Sequence, residues 1–549
     1  MTQNRMSDRG RRFMLVLVTL AATTVGMGPA SASSMTVPAD SPARPVRQCA
    51  DLVGQFHVPG APTHVTSATV VPAAAEPAYC DVRGYVEPAV RFQLKLPTTY
   101  RGRYVQYGCG GFCGYITPTV FPECGPRFGD AAVAATDDGH PVPGFDTRWA
   151  VNNQAARDDF FFRAPHVTSK AAKQIIARYY GEPPRYSYFT GCSTGGREAL
   201  LLAQRYPDEF DGIIAGAPAH NYQALLVYQA WLAKANIGAD GAPVVTDAKL
   251  PVLHQAVLAA CDGLDELVDG QVDPGACRFD PVSLLCPNGT DLPGCLTPPQ
   301  VETARKLYTG PTTAGGERLY PGAQAYGSEP AWTGWLTPSA ARGRPLAEQF
   351  ADNYLKHMGY PIGTPHSSLA RFELTRREFH RLTSEGLRPN AMSLDLGRFQ
   401  RSGGKLIIWH GWADQAIPAA GTVDYYQRLI ERFGTPRQTA EWARLFVIPS
   451  MYHCQAGSAL TAFDPFRELV AWVENGTPPD RIIATGRDTQ GNVVRTRPVF
   501  PYPLRARYGG TGSIDDERNF LPAPPPAPPR GTLRWVGEYL HHIPGPVVW

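Results

Sequence analysis

The sequence predicts an α/β fold that is interrupted by a long insertion. From about residue 85, short apolar runs alternate with amphipathic stretches, which is typical of the strands and helices of a mixed or parallel sheet. Between about residues 222 and 395 this rhythm is lost, and four cysteines fall within 35 residues among scattered glycines and prolines. Strand-like runs then return, so we expect one sheet built from the chain on both sides of the insertion.

Composition and charge exclude several classes of protein. The 549 residues include 52 Lys and Arg against 49 Asp and Glu, a formal charge of +3, and the first 32 residues account for this excess. The remainder is close to neutral, which argues against electrostatic binding of nucleic acid. A hydrophobic fraction of 43% can fill a large core and excludes a collagen-like or wholly disordered chain.

The N-terminus has the pattern of a secretory signal peptide, which we assign to residues 1–32. Two arginines at 11–12 precede an apolar run at 13–27, and a small-residue cleavage sequence follows at 30–32. The general secretory and twin-arginine routes are both open, and an uncleaved anchor is the alternative. No later run approaches the roughly 18 apolar residues of a membrane span. We therefore expect a secreted protein that does not bind a membrane once the signal is cleaved.

The rest of the chain is predicted to form three segments. The first part of the core spans 33–221, the insertion, called the lid below, spans 222–395, and the second part of the core spans 396–549. Within the core, the apolar patterns predict strands at 186–189, 212–216, 405–409 and 444–448, and helices at 167–180 and 197–206.

Cysteine content agrees with export. Eleven cysteines without a zinc-type pair of C-x-x-C motifs indicate disulfides formed in an oxidising compartment. Neighbouring positions suggest three local pairs, Cys49 with Cys80, Cys261 with Cys277, and Cys286 with Cys295. Five cysteines are then left, of which one must stay unpaired: Cys109, Cys113, Cys124, Cys192 and Cys454.

The strongest chemical signal is the motif G-x-S-x-G at residues 191–195, centred on Ser193. It lies between a predicted strand and a predicted helix, which is the setting of the nucleophile elbow of α/β-hydrolases. Glycines permit the tight turn that exposes the hydroxyl, and the helix N-terminus directs free N–H groups toward developing negative charge. The alternative is an ordinary glycine-rich turn. We predict Ser193 as a nucleophile in an α/β-hydrolase core with an inserted, disulfide-rich lid.

A serine nucleophile requires a base and a group that orients the base. In α/β-hydrolases the acid and then the histidine follow the serine along the chain. Asp414 comes shortly after the predicted strand 405–409, and His453 comes shortly after the strand 444–448. We predict these two residues as the acid and the base. His410 is the rival base, although its place beside a strand end favours a structural role.

Two cysteines adjoin the predicted catalytic pair. Cys192 precedes Ser193, and Cys454 follows His453. Because a disulfide holds its two Cα atoms within about 4.4–6.8 Å, a bond between these cysteines would bring nucleophile and base together. The alternative is that each is a separate buried thiol or pairs elsewhere.

These residues together resemble the tannase and feruloyl esterase family of secreted serine esterases, which includes mono(2-hydroxyethyl) terephthalate hydrolases. The resemblance rests on Cys192-Ser193, Asp414 and His453-Cys454 and extends over roughly residues 45–525. It implies that the two cysteines are bonded.

An oxyanion hole needs two donors. The N–H of Thr194, which follows the nucleophile, supplies the first. The glycine-rich stretch 107–114 resembles the family's oxyanion loop, and we choose the N–H of Gly111 as the second, with Gly110 as the alternative. This loop departs from uninterrupted glycines at Cys109 and Cys113, so a local disulfide could alter the hole.

The acidic stretch 261–277 spaces its carboxylates so that one loop could surround a hard cation such as calcium. It is not a complete EF-hand. Its resemblance to the family's lid loop implies a structural calcium ion, and a solvated acidic turn is the alternative. The implied ligands are the carboxylates of Asp262, Asp265 and Asp269 and the backbone carbonyls of Leu267 and Gln271.

The predicted reaction is ester hydrolysis through an acyl-enzyme, which needs no organic cofactor. The resemblance implies a small aromatic, phenolic ester as substrate, including one attached to plant polysaccharide or polyphenol. A terephthalate half-ester is the second choice, because that branch tends to carry an acidic residue where this chain has Thr194. A non-catalytic binding protein and a peptidase are the alternatives of other classes. The aromatic residues of the lid, including Trp335 and Phe350, are expected mainly to form its core.

Overall fold

The structure is a computed structural model that describes residues 42–74, 77–116, 128, 130–273, 275–341, 343–525 and 531–544. The predicted signal peptide and Cys124 lie outside the described residues. The strands are β1 Gly54–Phe56, β2 Thr63–Val71, β3 Tyr79–Val86, β4 Val90–Pro97, β5 Arg103–Tyr107, β6 Ala132–Thr136, β7 Tyr186–Cys192, β8 Gly212–Gly216, β9 Lys405–Gly411, β10 Ala443–Ile448, β11 Ile482–Arg487, β12 Val493–Val499, β13 Arg505–Tyr508 and β14 Phe520–Ala523. The α-helices are α1 Gln154–Asp158, α2 Ala164–Tyr180, α3 Thr194–Arg205, α4 Tyr222–Ala235, α5 Leu250–Cys261, α6 Pro298–Thr309, α7 Leu346–His357, α8 Arg376–Gly386, α9 Gly397–Arg401, α10 Ala419–Phe433, α11 Pro436–Ala440 and α12 Phe466–Asn475.

One ten-stranded sheet organises the molecule, in the order β1-β2-β3-β4-β6-β5-β7-β8-β9-β10. The strands from β1 to β6 in this order are antiparallel to their neighbours, and those from β6 to β10 are parallel. The predicted α/β class is thus confirmed. The parallel strands β8 and β9 are almost wholly buried, as expected for strands covered on both faces.

The lid enters between two neighbouring strands. Strand β8 pairs directly with β9, with Gly216 opposite Trp409, although residues 217–404 separate them along the chain. Helices α4 to α9 and several irregular segments occupy this excursion. Helix α4 is buried along most of its length, so it lies between the lid and the core and not on the surface of the protein.

Helix α3 begins earlier than the sequence predicts. We expected the helix from residue 197 because glycines at 195 and 196 favour a turn, yet the first helical residue is Thr194. The reason is close packing, since a Cβ atom at Gly196 would lie 2.2 Å from the carbonyl oxygen of Gly216. The glycines therefore let the first turn of the helix pass against the sheet. By contrast, α2 ends at Tyr180 as expected, and the next residue, Gly181, caps it with a φ of 86°.

The described residues contain five disulfides, which is typical of extracellular proteins. The three predicted local pairs are all present, and Cys192 is bonded to Cys454. The fifth bond joins Cys109 to Cys113 within the glycine-rich stretch. The five disulfides are Cys49–Cys80, Cys109–Cys113, Cys192–Cys454, Cys261–Cys277 and Cys286–Cys295. In the same part of the chain, every helix is too short or too polar to cross a bilayer.

Candidate active site

Ser193 occupies a sharp turn between β7 and α3. Its φ of 64° and ψ of −118° lie in a region that residues with a side chain seldom adopt. Flanking glycines make the turn possible, since a Cβ atom at Gly191 would lie 2.6 Å from the backbone of Gly195. The N–H of Ser193 donates to the carbonyl of Gly216 on β8, which fixes the turn against the sheet.

The three side chains predicted as nucleophile, base and acid lie in hydrogen-bond contact. The Oγ atom of Ser193 is 3.0 Å from Nε2 of His453, and Nδ1 of His453 is 2.7 Å from Oδ2 of Asp414. Both contacts are within the usual range for hydrogen bonds. Asp414 is fully buried, whereas His453 keeps part of its side chain exposed beside the serine. The arrangement is that of an activated serine.

Asp414 is held as a carboxylate. Its Oδ1 atom accepts hydrogen bonds from the N–H groups of Ala416 and Ile417, each at 2.8 Å. Burial alone would raise its pKa, but the charge and hydrogen bonds of His453 and His410 outweigh burial and leave the pKa well below its ordinary value. The acid therefore stays ionised wherever the histidine could act as a base.

His410, the rival base, has a supporting position. Its Nε2 atom lies 2.8 Å from the carbonyl of Ile417 and 3.2 Å from Oδ2 of Asp414, and its Nδ1 atom lies 2.9 Å from Oγ1 of Thr422. The ring is fully buried. No hydrogen bond joins it to Ser193 among the described residues, so His410 orients Asp414 and does not reach the nucleophile.

Two neighbouring parallel strands present the acid and the histidine. Asp414 follows β9 and His453 follows β10, and their loops are joined where the N–H of Ala413 donates to the carbonyl of Met451. The side chain of Gln415, which sequence reasoning missed, accepts a hydrogen bond from the N–H of His453 at 3.3 Å. The Cys192–Cys454 bond, with Cα atoms 6.0 Å apart, ties this loop to the serine turn.

The glycine-rich stretch lies against the start of α3. The hydroxyl of Thr194 donates to the carbonyl of Gly111 at 2.7 Å, and the N–H of Gly195 donates to the carbonyl of Cys109 at 2.8 Å. Within the described chain, nothing accepts a hydrogen bond from the N–H of Gly111. The N–H of Thr194 belongs to the first helical turn, where such groups have no intrahelical acceptor. Both predicted donors are thus close to Ser193 and available to an anion.

Aromatic side chains from three segments surround the histidine and the glycine-rich stretch. The ring of Trp335 lies 5.9 Å from that of His453 and 5.7 Å from that of Phe350. Phe350 also contacts Phe112 and Phe145 edge-on, at 5.1 and 4.9 Å. We expected Trp335 and Phe350 mainly as lid core, and both do pack against the main hydrophobic core. Both are nevertheless only partly buried, and Trp335 also lies beside the histidine. Phe112 lies within the glycine-rich stretch, so its position in the motif could have revealed it.

The acidic stretch 261–277 contains carboxylates that face one another. Burial first, and then the nearby Asp269, raise the pKa of Asp265 to about 6. The carbonyls of Leu267 and Gln271 accept no hydrogen bond from any described residue. Asp262 instead accepts hydrogen bonds from the N–H groups of residues 269 and 270. Both oxygens of Asp269 accept hydrogen bonds as well, so the unpaired oxygens beside Asp265 are the two carbonyls. Carbonyl oxygens next to a carboxylate are ligands that a hard cation prefers, and calcium at this stretch stays a prediction.

The acidic stretch packs against the loop that carries the histidine. Gln271 and Ser450 are in side-chain contact at 3.3 Å, and the hydroxyl of Ser458 donates to the carbonyl of Gly270 at 3.5 Å. Arg497 forms a buried ion pair with Asp269 at 2.7 Å. A cation held by this stretch would therefore lie close to the catalytic loop without touching the reacting atoms.

The comparisons with known proteins agree with this geometry. The family model described as tannase and feruloyl esterase matches residues 73–523. The chain belongs to this family. The resemblance inferred from the serine, aspartate and histidine motifs is therefore confirmed, and the chain is a carboxylic ester hydrolase of the tannase and feruloyl esterase family.

Individual relatives cover most of the chain. An uncharacterized esterase from Xanthomonas campestris is 34% identical over 86% of this chain and 90% of its own length. The mono(2-hydroxyethyl) terephthalate hydrolase of Piscinibacter sakaiensis is 33% identical over 83% of this chain and 86% of its own. The crystal structure of feruloyl esterase B from Aspergillus oryzae superposes with a TM-score of 0.75 at 26% identity, covering 84% and 97% of the two chains.

Proposed function

We propose that this chain is a secreted serine esterase that hydrolyses esters of aromatic, phenolic carboxylic acids. The observation that carries the proposal is the pair of contacts from Ser193 to His453 and from His453 to Asp414, at 3.0 and 2.7 Å. The five disulfides favour an extracellular setting.

The proposed reaction proceeds through an acyl-enzyme. His453 takes the proton of Ser193 as the oxygen attacks the ester carbonyl, and Asp414 holds the ring and stabilises the resulting imidazolium. His453 then gives this proton to the leaving alcohol, which departs as the acyl-enzyme forms. A water molecule repeats the sequence at the acyl carbon and releases the acid, which regenerates the serine hydroxyl.

The N–H groups of Gly111 and Thr194 are the proposed oxyanion donors. Negative charge develops on the carbonyl oxygen during both attacks, and two fixed N–H groups stabilise it more than they stabilise the neutral ester. The bonds from Thr194 and Gly195 to the glycine-rich stretch keep these donors in place before substrate arrives. This arrangement avoids reorganisation at the moment of reaction.

The aromatic side chains beside His453 support an aromatic acyl group. Trp335 and Phe350 come from the lid and are partly exposed, and the buried Phe112 of the core packs behind Phe350. The lid and the core together thus form an apolar wall. Flat rings stack or meet edge-on with such side chains at centroid distances of about 4.5–7 Å. The similarity to feruloyl esterase B favours a phenolic acid, whose alcohol partner could be a plant polysaccharide or polyphenol.

A second candidate substrate is a terephthalate half-ester. It is favoured by the 33% identity to the hydrolase of Piscinibacter sakaiensis, but Thr194 departs from the acidic residue expected there. Turnover of methyl ferulate, methyl gallate and a terephthalate half-ester by one preparation ranks the choices. We expect a phenolic ester to have the highest kcat/KM, and turnover of the half-ester alone would reverse this order.

The catalytic proposal has a direct test. A fluorophosphonate should label folded wild-type protein on Ser193. It should not label Ser193→Ala, and it should label His453→Gln much more slowly than wild type. Absence of an adduct on folded wild type would favour a non-catalytic binding protein. Comparison of an ester with the matching amide would separate an esterase from a peptidase.

We also propose a structural calcium ion in the lid. Asp265 and Asp269 would hold it with the carbonyls of Leu267 and Gln271, and Asp262 would order the loop or complete the ligand set. Calcium would supply positive charge that offsets the facing carboxylates. The ester chemistry itself depends on Ser193 and its partners and not on the ion.

A further inference from the structure

A second pair of acidic side chains lies under the glycine-rich stretch, outside the triad. Asp138 follows β6, and Glu198 is on α3, one turn beyond Ser193. The two residues are 0% and 1% exposed, and a carboxyl oxygen of each lies within 4.8 Å of the other. Two buried carboxyls this close together cannot both be ionised without strong repulsion, so such a pair retains a proton.

The pair touches the backbone and the disulfide of the stretch. Oε2 of Glu198 accepts a hydrogen bond from the N–H of Cys109 at 3.4 Å, and its Oε1 atom is 3.0 Å from Sγ of Cys109. Oδ2 of Asp138 lies 3.4 Å from the sulfurs of both Cys109 and Cys113. Because these sulfurs are joined in a disulfide, they carry no proton. The shared proton must therefore belong to the carboxyls.

The glycine-rich stretch is tightly packed against Glu198 and helix α3. A Cβ atom at Gly108 would lie 2.7 Å from Oε2 of Glu198 and 2.7 Å from the backbone of Gly195. The start of the stretch thus rests directly on the carboxyl of Glu198 and on the first turn of α3. A change in the charge of this pair would act on the backbone that leads to Gly111.

The surrounding charges balance one carboxylate and not two. Arg197 is the nearest cation, but its guanidinium donates to the carbonyls of Phe160 and Phe161. Near Asp138, the remaining charged groups are already engaged or neutral: Asp137 pairs with Arg91, Asp159 pairs with Arg163, and burial lowers the pKa of His140 to about 4. Oδ1 of Asp138 has no hydrogen-bond partner among the described residues. Burial, and then Glu198, raise the pKa of Asp138, and burial raises that of Glu198.

We propose that Asp138 and Glu198 are positioning residues that share one proton and thereby hold the oxyanion loop in its active geometry. Loss of that proton at alkaline pH leaves two buried carboxylates beneath Cys109, and their repulsion displaces the loop and its donor at Gly111. The inference rests on the proposed function of that loop. It also predicts that kcat falls while KM changes little, because the donors act mainly on the transition state.

The proposal is tested with Asp138→Asn and Glu198→Gln, whose amides keep the size of each side chain but have no acidic proton to lose. The infrared difference spectrum between wild type and each variant at neutral pH should show the C=O stretch of a protonated carboxylic acid. In wild type this signal should disappear at alkaline pH, and kcat should fall roughly tenfold or more over the same pH range. Neither variant should lose kcat over that range. Asp146→Asn changes a partly exposed carboxylate on the same connection, and this control should behave as wild type.

Three results would overturn the proposal: no carboxylic acid signal in either difference spectrum, an alkaline loss of kcat that persists in both variants, or failure of both variants to fold. The last counts because an amide reproduces the neutral partner that the shared proton provides. The infrared signal does not depend on turnover. A protein that resists fluorophosphonate but shows the signal would refute the esterase mechanism and leave the proton pair standing.

Discussion

The triad and the acidic stretch of the lid bring carboxylates together in different ways. At the triad, Asp414 is surrounded by two histidines and two backbone N–H groups, and its pKa is lowered although it is buried. In the acidic stretch, Asp265 faces other carboxylates, and its pKa is raised to about 6. The protein itself supplies the counterparts of the first carboxylate. For the second, the described residues supply one hydrogen bond, from the N–H of Leu267 at 3.2 Å, which is why we propose a cation there and not at the triad.

The largest expected effect is the loss of kcat on substitution of Ser193, which separates the triad from the acidic stretch. Ser193→Ala removes the reacting oxygen, so kcat should fall on the order of 10⁴- to 10⁶-fold. The Tm should stay near the wild-type value because the hydroxyl makes a single partly exposed contact. Glu302→Gln, an exposed residue of the lid, is the control for both measurements. Substantial ester turnover by the alanine variant would place the chemistry elsewhere.

The next effect concerns the bond that joins the serine turn to the histidine loop. Replacing Cys192 and Cys454 together by serine opens a link across 262 residues, which is expected to cost about 2–5 kcal/mol of unfolding free energy. Activity should fall with it, since Ser193 and His453 are no longer tethered. Denaturant titration and kcat measure the two consequences.

The matched control for this bond is the pair Cys286 and Cys295, which closes a link across only nine residues within the lid. Its double serine variant should lose less stability and keep the wild-type kcat. Equal losses of activity in both double variants would show that the longer bond has no special role at the site.

Removal of calcium should affect stability more than chemistry. With free calcium at a hundred times its Kd, binding contributes about 2.7 kcal/mol, so a chelator should lower the Tm while kcat of the folded protein changes little. Asp265→Asn should remove this response, and Glu302→Gln should keep it. An unchanged Tm in chelator would exclude the ion.

The calcium effect should also depend on pH. Asp265 has a pKa of about 6 in the folded protein, above the value of about 3.9 for an unfolded aspartate. Without calcium, the stability contributed by its bound proton is complete below about pH 4 and is lost as the pH rises through about 6. Calcium must displace that proton, so the gain in Tm on adding calcium should be larger at pH 7.5 than at pH 5. A gain independent of pH would argue against Asp265 as a ligand.

The smallest effect is expected at the hydroxyl of Thr194. Thr194→Val keeps the shape and the N–H but removes the hydrogen bond to the carbonyl of Gly111. A neutral hydrogen bond contributes about 1 kcal/mol, which corresponds to about a fivefold loss of kcat if it holds the loop only for the transition state. Thr194→Ser retains the hydroxyl and should restore the wild-type rate. A wild-type rate for the valine variant would mean that other contacts suffice to hold the loop.

Short motifs predicted the strands beside the reacting groups well. Strand β8 has the predicted bounds, and β7, β9 and β10 contain their predicted segments with one to three additional residues. The start of α3 was predicted late because glycine propensity favours a turn, whereas packing against Gly216 decides in favour of helix. Trp335 packs against the core as predicted, but its second contact, with His453, was missed because an apolar pattern does not reveal that a ring also borders an active site.

The amino-acid sequence by itself determined which groups are present and which are covalent neighbours. A serine next to Cys192 and a histidine next to Cys454 specify a reaction type, because chemical identity and adjacency are properties of the chain. Only the tertiary structure decided that His410 supports Asp414, that Phe112 meets Phe350, and that Glu198 lies beneath Cys109. Most of those contacts join segments that are far apart along the chain. Their distances arise from close packing of the whole core, which no local sequence pattern encodes.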